Sequence, residues 1–190
     1  MKIESDIPLK EGRIVIATDI LLNGDTTSQN KIALQRERNI LLLRHITGEQ
    51  QATITHSREG KPYCSLFKSI SISHSGNYTA LMMSNHASCG VDLQVYKEKT
   101  TQGMDYFMSE KEIAEVDNND LMRNVHLYWC AKETAIKYFS ISGIDFKNKI
   151  YIHPFRSEQN GILHATVLHT QQHELIISYR KNENYVLCFA

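Results

Sequence analysis

The sequence predicts an α+β fold built from two similar halves. Short segments with strand-like alternation occur throughout the chain, and each half also contains a long stretch with helical spacing. In both halves the order is a strand, then helical sequence, then several short strands. The repeat lies in the order of the elements and not in residue identity. A chain of 190 residues is long enough for one core or for two small cores packed together.

The first half contains five predicted strands and one predicted helix. Alternating apolar and polar residues predict strands at residues 14–17, 52–55, 70–73, 78–83 and 89–95. Helical spacing predicts a helix from about Ser28 to His45, with Leu34, Leu41 and Leu42 on its apolar side. The dipeptide Ser75-Gly76 signals a tight turn after the third of these strands.

The second half contains two predicted helices and four late strands. Ser109 and Glu112 form an S-x-x-E capping box, which predicts the start of a short helix. An apolar stripe predicts a longer helix over 121–139, ended by Ser142-Gly143. Strands are predicted at 150–153, 163–168, 175–179 and 185–189. The polar stretch at 96–104 places the boundary between the halves, which we take as 1–98 and 99–190.

The charge balance limits the classes of ligand that the chain can bind. It has 21 basic and 21 acidic residues, for a formal net charge of zero. A nucleic-acid binder that works through a broad basic surface is therefore not expected. Recognition of a small anionic ligand must come from a few basic residues placed locally.

Cysteine spacing and hydropathy indicate a reducing, aqueous environment. The four cysteines form no C-x-x-C pair, so a zinc or redox motif has no support. The N-terminal segment MKIESDIPLKEGR lacks the apolar core of a signal peptide. The longest aliphatic run, residues 40–43, is far too short to span a membrane. We therefore expect a cytoplasmic protein without a membrane partner.

Two segments carry the strongest chemical signal. The strand sequence GVD at 90–92 presents Asp92, and period-two geometry places Gln94 on the same face. In WCAKETAIK at 129–137, Glu133 and Lys137 share a helix face with Trp129 one turn earlier. Alone, an aspartate on a strand more often faces solvent, and such a Glu–Lys pair is usually a surface ion pair. Two carboxylates and a lysine that converge, however, suit a Mg²⁺-bound pyrophosphate.

Two further motifs lie upstream. Residues 60–62 read GKP, and residues 71–76 read SISHSG, with His74 at the end of a predicted strand. A histidine beside a tight turn can donate to a phosphate, as can the N–H groups of the turn. GKP alone is common in loops, where its lysine is solvated.

In this order, the four motifs resemble the signature of the 4′-phosphopantetheinyl transferase superfamily. That signature combines G-K-P, I-S-H-S-G, a G-[IV]-D strand and a W/F-[SC]-x-K-E-[AS]-x-x-K helix. The spacing resembles that of the larger single-chain members, which activate synthetases and polyketide assembly lines. This chain departs from the pattern with Thr134 in place of Ala or Ser. It also has Gln94 where many relatives have a second carboxylate.

The resemblance implies both an architecture and a set of site residues. The two halves would be related by a pseudo-twofold, with coenzyme A in a cleft between them. Asp92, Glu133 and Lys137 would be catalytic, and Asp92, Glu133 and Gln94 would hold Mg²⁺. The residues expected to bind the coenzyme are Lys61, Pro62, Ser73, His74, Lys137, Lys31 and Arg38. For Lys31 and Arg38, which share a face of the first helix, a solvated basic face is an equally good account.

The implied reaction transfers the 4′-phosphopantetheine arm of coenzyme A to a serine of an apo carrier protein. Adenosine 3′,5′-bisphosphate would be released. Acyl, polyketide and peptidyl carriers all remain open as substrates. Because one chain contains both halves, we expect a monomer.

Two other functions are compatible with parts of the sequence. A degenerate relative that binds coenzyme A without turnover is favoured only by Gln94. A coenzyme A-dependent acetyltransferase would need a [QR]-x-x-G-x-[GA] pyrophosphate loop, and the chain has none.

Overall fold

The structure, a computed structural model, describes residues 1–18 and 28–190, with side chains in the second range from residue 32 onward. Contacts between Cα atoms divide the chain into two compact units, Met1–Cys89 and Gly90–Ala190. Each unit contains helical segments and an antiparallel sheet, so the predicted α+β class is confirmed. The pseudo-twofold relation between the halves stays a prediction.

The first unit has one long helix and a four-stranded antiparallel sheet in the order β1-β2-β6-β5. A separate two-stranded ladder joins β3 and β4. The elements are β1 (Lys2–Leu9), β2 (Gly12–Thr18), α1 (Ser28–Thr47), β3 (Thr55–His56), β4 (Pro62–Tyr63), β5 (Ser69–Ser75) and β6 (Tyr78–Ser84).

The two central strands of this sheet are almost continuously apolar. Residues 14–17 of β2 and 79–84 of β6 are all buried, so neither strand needs a polar face. The edge strand β1 is mostly exposed and polar, and the sequence pattern does not predict it. β5 and β6 meet through a tight turn at Gly76, whose φ of 58° is a left-handed conformation that glycine adopts without strain.

Helix α1 agrees with the predicted 28–45 to within two residues at its end. Its buried side faces the core of the first unit through Leu42 and Leu43. Leu41, predicted on the apolar side, is 51% exposed, so that assignment is wrong. One residue along a helix rotates a side chain by about 100°, which carries Leu41 off the buried face. The strand predicted at 52–55 is reduced to the short β3.

The second unit has a five-stranded antiparallel sheet in the order β7-β11-β10-β9-β8. Its elements are β7 (Val91–Val95), α2 (Glu98–Gln102), α3 (Glu110–Glu115), α4 (Leu121–Phe139), α5 (Phe146–Lys149), β8 (Ile150–Ile152), β9 (Asn160–Leu168), β10 (Gln172–Lys181) and β11 (Tyr185–Phe189). Short 3₁₀ turns at Met104–Tyr106 and Asn118–Asp120 connect the helices.

Helix α4 supplies much of the core of the second unit, and its bounds are those predicted. Buried residues such as Val125, Leu127 and Ala131 join the inward side chains of the sheet in one cluster. The helix ends at Phe139, three residues before the predicted stop at Ser142-Gly143, because Ser140 takes a left-handed conformation with φ of 56°. Among the helices in the described ranges, none is long and apolar enough to cross a membrane.

The observed division of the chain differs from the predicted boundary at 98/99. It falls at 89/90, because β7 pairs with β11 in the sheet of the second unit. In that ladder Asp92 lies opposite Cys188, and Leu93 lies opposite Leu187. The GVD segment therefore belongs to the same unit as the WCAKETAIK helix.

Candidate active site

Strand β7 presents two polar side chains toward each other. The Gln94 side-chain nitrogen donates a hydrogen bond of 2.7 Å to Oδ2 of Asp92. Asp92 is 2% exposed, whereas Gln94 is half-buried. The two residues therefore share a strand face, as the period of two predicts.

Helix α4 brings a cation to the same carboxylate. Nζ of Lys137 lies 2.6 Å from Oδ1 of Asp92 and also donates to the carbonyl of Val91 at 3.1 Å. The lysine side chain keeps 25% of its surface exposed. The strand and helix motifs, which are distant in sequence, thus meet at one ion pair.

Glu133 lies one turn before Lys137 on the same helix. The pKa of its carboxyl is raised from the usual 4.5 to about 7. Burial is the largest cause and the negative charge of Asp92 adds to it, while the positive charge of Lys137 acts in the opposite direction. Within the described residues, no side chain or backbone group donates a hydrogen bond to this carboxylate. An acid with a pKa near neutrality can accept a proton from a substrate or receive a cation.

Gly90 allows the helix and the strand to approach closely. A Cβ atom at this position would lie 2.4 Å from the carbonyl oxygen of Thr134 and 2.9 Å from the backbone nitrogen of Tyr138. Both are backbone atoms, so they cannot move aside cheaply. The glycine of GVD is therefore explained by packing against α4.

Trp129 anchors the first turn of the motif helix in the core of the second unit. Its ring stacks on Phe146, with centroids 5.1 Å apart and planes 6° apart, and it meets the edge of Phe107 at 4.9 Å. The sequence predicts that the helix face carrying Trp129 is partly buried, and in the structure Trp129 is partly buried. Its role is to hold α4 against the segments on either side of it.

An ion pair that the sequence analysis missed lies next to the candidate acid. Lys132 and Glu112 are both fully buried, with Nζ 2.7 Å from Oε2. Lys132 also donates to the carbonyls of Phe107 and Phe146. Glu112 accepts from the backbone N–H of Ile152. The pair thereby joins α3, α4 and β8.

The capping box was the available signal for this pair. Ser109 and Glu112 make both of its reciprocal bonds, so that prediction is confirmed. Glu112 also forms the ion pair with Lys132. The position of Lys132 in the middle of the helix motif does not indicate that it has a buried partner.

In the first unit, His74 extends from the end of β5. Its Nε2 is 2.9 Å from Oδ1 of Asn39, a buried residue of α1. Because an amide oxygen only accepts, this contact assigns the proton to Nε2. Asn39 is a further residue that the sequence analysis did not identify.

The other predicted coenzyme residues of the first unit lie on α1, on β5 and at β4. Lys61 and Pro62 are half-buried at the β4 strand, where the Lys61 ammonium lies 5.9 Å from the ring of Tyr63. Ser73 is buried on β5, and Arg38 is half-buried on α1. The side chain of Lys31 lies outside the described residues.

The donors around Asp92 fit a magnesium ion. Mg²⁺ takes oxygen ligands, is often held by only one or two carboxylates, and completes its shell with water and substrate phosphates. Asp92, Glu133 and the amide oxygen of Gln94 are donors of this type, and the raised pKa of Glu133 indicates a carboxylate that a cation would stabilise. Within the described residues, no group of three or more His, Cys, Asp or Glu forms a metal site, in keeping with only two acids here.

Comparison with protein families gives one match. Residues 88–190, more than half of the chain, match the family model described as the 4′-phosphopantetheinyl transferase superfamily. The matched region contains β7 and α4 with Asp92, Glu133 and Lys137. A search of curated proteins found no match. The chain is a member of the 4′-phosphopantetheinyl transferase superfamily.

Proposed function

We propose that this protein transfers the 4′-phosphopantetheine arm of coenzyme A to a serine of an apo carrier protein, with Mg²⁺, and releases adenosine 3′,5′-bisphosphate. The carrier is of the acyl, polyketide or peptidyl type, and the enzyme acts as a monomer of the larger single-chain kind. Family membership supports phosphopantetheine transfer in general. One observation carries the specific mechanism. Asp92 forms an ion pair with Lys137, and both charges act on Glu133, whose pKa is raised to about 7.

In the proposed step, the serine oxygen attacks the β-phosphorus of coenzyme A. A new oxygen–phosphorus bond forms, and the bond from that phosphorus to the bridging oxygen breaks. The bisphosphate leaves with the electron pair, and the serine proton passes to Glu133. Without metal the pKa of Glu133 is about 7, and a bound cation would lower it, so the carboxylate would be ionised and able to accept the proton at neutral pH.

Bound Mg²⁺ would neutralise the pyrophosphate charge that grows as the bisphosphate leaves. Asp92 and Glu133 are the residues proposed to hold it, with Gln94 as a neutral third donor. Each carboxylate oxygen has two lone pairs. Asp92 would therefore offer the ion a carboxylate that also accepts from Lys137 and Gln94.

Lys137 is proposed to contact the phosphates of the coenzyme. Its ammonium has three donors, and the bonds to Asp92 and to the Val91 carbonyl use two of them. Its side chain is a quarter exposed, so the third donor can reach an incoming ligand. A positive charge held in place before the reaction stabilises the developing negative charge without reorganisation.

The coenzyme contacts proposed for the first unit rest on the family resemblance. They are Lys61, Pro62, Ser73, His74, Lys31 and Arg38. The hydrogen bond that His74 donates to Asn39 fixes the orientation of the imidazole, which supports a defined contact to the coenzyme. For Arg38 a solvated basic face remains the competing account.

A coenzyme A-binding module without turnover is the second candidate. It is favoured by Gln94, which leaves the site one carboxylate short of the D-x-E pattern. The two candidates differ in one observable, since both bind coenzyme A and only one modifies a carrier.

The test measures binding and turnover separately. Isothermal titration would report coenzyme A binding, and intact-mass spectrometry would follow acyl, polyketide and peptidyl apo carriers incubated with protein, coenzyme A and Mg²⁺. We expect binding, a gain of one phosphopantetheine by at least one carrier, and loss of that gain with EDTA. Binding without any mass gain in the three carrier types would favour the binding module.

A further inference from the structure

A buried thiol lies directly behind the strand that carries Asp92. Cys130 on α4 has no exposed surface. Its Sγ is 3.2 Å from the carbonyl oxygen of Asp92 and 3.7 Å from that of Val186 on β11. A thiol has one proton to donate, and the shorter distance assigns that proton to Asp92. The backbone of the candidate metal ligand is therefore hydrogen-bonded to the helix that carries Glu133.

The thiol is one of three contacts that fix this helix to the start of β7. Gly90 packs on the carbonyl of Thr134, and Lys137 donates to the carbonyl of Val91. Cys130, Thr134 and Lys137 follow one another at spacings of four and three, so they lie on one helix face. All three contact the run 90–92, and Lys137 also pairs with the Asp92 side chain. Among these contacts, only the one from Cys130 holds the backbone of Asp92 itself.

The Cys130 contact also sets a distance that the proposed chemistry needs. Cys130 precedes Glu133 by a little under one helical turn, so the anchoring point and the carboxylate belong to adjacent positions of the same rigid element. Loss of the anchor would let β7 shift relative to α4. A shift of that kind changes the separation of the two carboxylates that would share a cation, without removing either of them.

We propose that Cys130 is a positioning residue, whose thiol holds the Asp92 backbone at the separation from Glu133 that the metal and pyrophosphate require. The effect on catalysis rests on the proposed function. The anchoring itself can be tested without metal, coenzyme or carrier.

Three variants separate the hydrogen bond from simple packing. Cys130→Ser keeps a one-proton donor at nearly the same position, and Cys130→Ala removes it. Cys188→Ala is the matched control, because it deletes an equally buried thiol of the same core cluster, opposite Asp92 in the ladder. It removes the contact between the two thiols and keeps the Cys130 donor of the bond to Asp92. Each alanine variant removes one buried sulfur atom, so the two lose a similar amount of packing.

The first readout is hydrogen exchange of the peptide that spans residues 91–95, followed by mass spectrometry of the protein alone. We expect Cys130→Ala to exchange roughly two- to fivefold faster than Cys188→Ala, which is the effect of one weak hydrogen bond. Cys130→Ser should restore the slower exchange. Equal exchange in the two alanine variants would overturn the proposed anchor, whether or not the protein transfers phosphopantetheine.

The second readout is the Mg²⁺ concentration that gives a half-maximal rate of transfer. It should rise several-fold in Cys130→Ala, stay near the parent value in Cys188→Ala, and recover in Cys130→Ser. If exchange changes as expected while the Mg²⁺ requirement does not, the thiol is an anchor of the fold only and the positioning role is overturned. If the parent protein transfers nothing, the proposed function fails and the exchange comparison still decides on the anchor.

Discussion

Nζ of Lys137 lies 2.6 Å from Oδ1 of Asp92, and 3% of the Asp92 side chain is exposed. A carboxylate this deeply buried is tolerated because a cation and hydrogen-bond donors compensate for its lost hydration. The same ion pair joins the strand motif to the helix motif. This ion pair therefore contributes both to the stability of the second unit and to the geometry of the candidate site.

Removing the lysine should destabilise the protein. In Lys137→Met, the buried Asp92 charge loses its cation, and we expect the free energy of unfolding to fall by about 2–4 kcal/mol. Asp92→Asn combined with Lys137→Met should recover part of that loss, because no uncompensated charge remains. Urea unfolding would measure both, with Lys149→Met, at an exposed position of α5, as the control. Equal stability of Lys137→Met and the control would contradict the role given to the pair.

Glu133 should make the metal-free protein less stable as the pH rises. Its pKa is about 7 when folded and 4.5 otherwise, so between these values the folded protein binds more protons here than the unfolded chain. Raising the pH through this window therefore lowers the free energy of unfolding, by about 2 kcal/mol once solvent screening is allowed for. Glu133→Gln should lack this contribution.

Unfolding in EDTA at pH 5 and pH 8 would test the Glu133 prediction. The expected result is a larger loss of stability in the parent than in Glu133→Gln over that interval. The same loss in both proteins would show that the pKa of Glu133 is not raised.

Gln94→Glu should lower the free energy of unfolding of the metal-free protein and raise its affinity for Mg²⁺. The Gln94 amide donates to Asp92, whereas a glutamate would place a like charge beside it. Without metal, we expect a destabilisation of about 1 kcal/mol. With coenzyme A present, the added acid should lower the Mg²⁺ concentration required for a half-maximal rate. A requirement equal to or above that of the parent and of the exposed control Gln102→Glu would mean that position 94 does not face the ion.

The buried pair of Glu112 and Lys132 should be among the most sensitive positions in the second unit. Lys132→Met leaves the Glu112 charge buried without its cation, and we expect a loss of about 3–5 kcal/mol. Glu110→Ala, on the exposed side of the same short helix, should change stability by less than about 0.5 kcal/mol. Thermal unfolding of the two variants would compare them, and similar melting temperatures would contradict the structural role of the pair.

His74→Ala should weaken coenzyme A binding more than it lowers the maximal rate. A phosphate contact made before the reaction and kept through it contributes equally to the ground state and the transition state. We expect KM for coenzyme A to rise about tenfold with little change in kcat. His45→Ala, at an exposed position of α1, serves as the control. An unchanged KM would remove His74 from the proposed site.

Local patterns predicted those parts of the fold that local physics determines. Helix α4 has a long apolar stripe, and its bounds were correct. The shared face of Asp92 and Gln94 followed from the geometry of a strand. The edge strand β1 was missed because its exposed residues carry no apolar alternation.

Contacts between distant segments needed the structure. No spacing rule pairs Lys137 with Asp92, Lys132 with Glu112, or the Cys130 thiol with a carbonyl of β7. The boundary between the units depends on the same kind of information. Strand β7 precedes the polar stretch at 96–104 in sequence, but it pairs with the last strand of the chain.

The most direct test counts both products of a single reaction. Apo carrier, coenzyme A, Mg²⁺ and protein would be incubated together, with modified carrier measured by intact mass and adenosine 3′,5′-bisphosphate by chromatography. The account predicts equal amounts of the two products with the parent protein, and neither above background with Asp92→Asn or Glu133→Gln. Parent-like yields from both variants, or coenzyme A binding with no product from any carrier type, would contradict it.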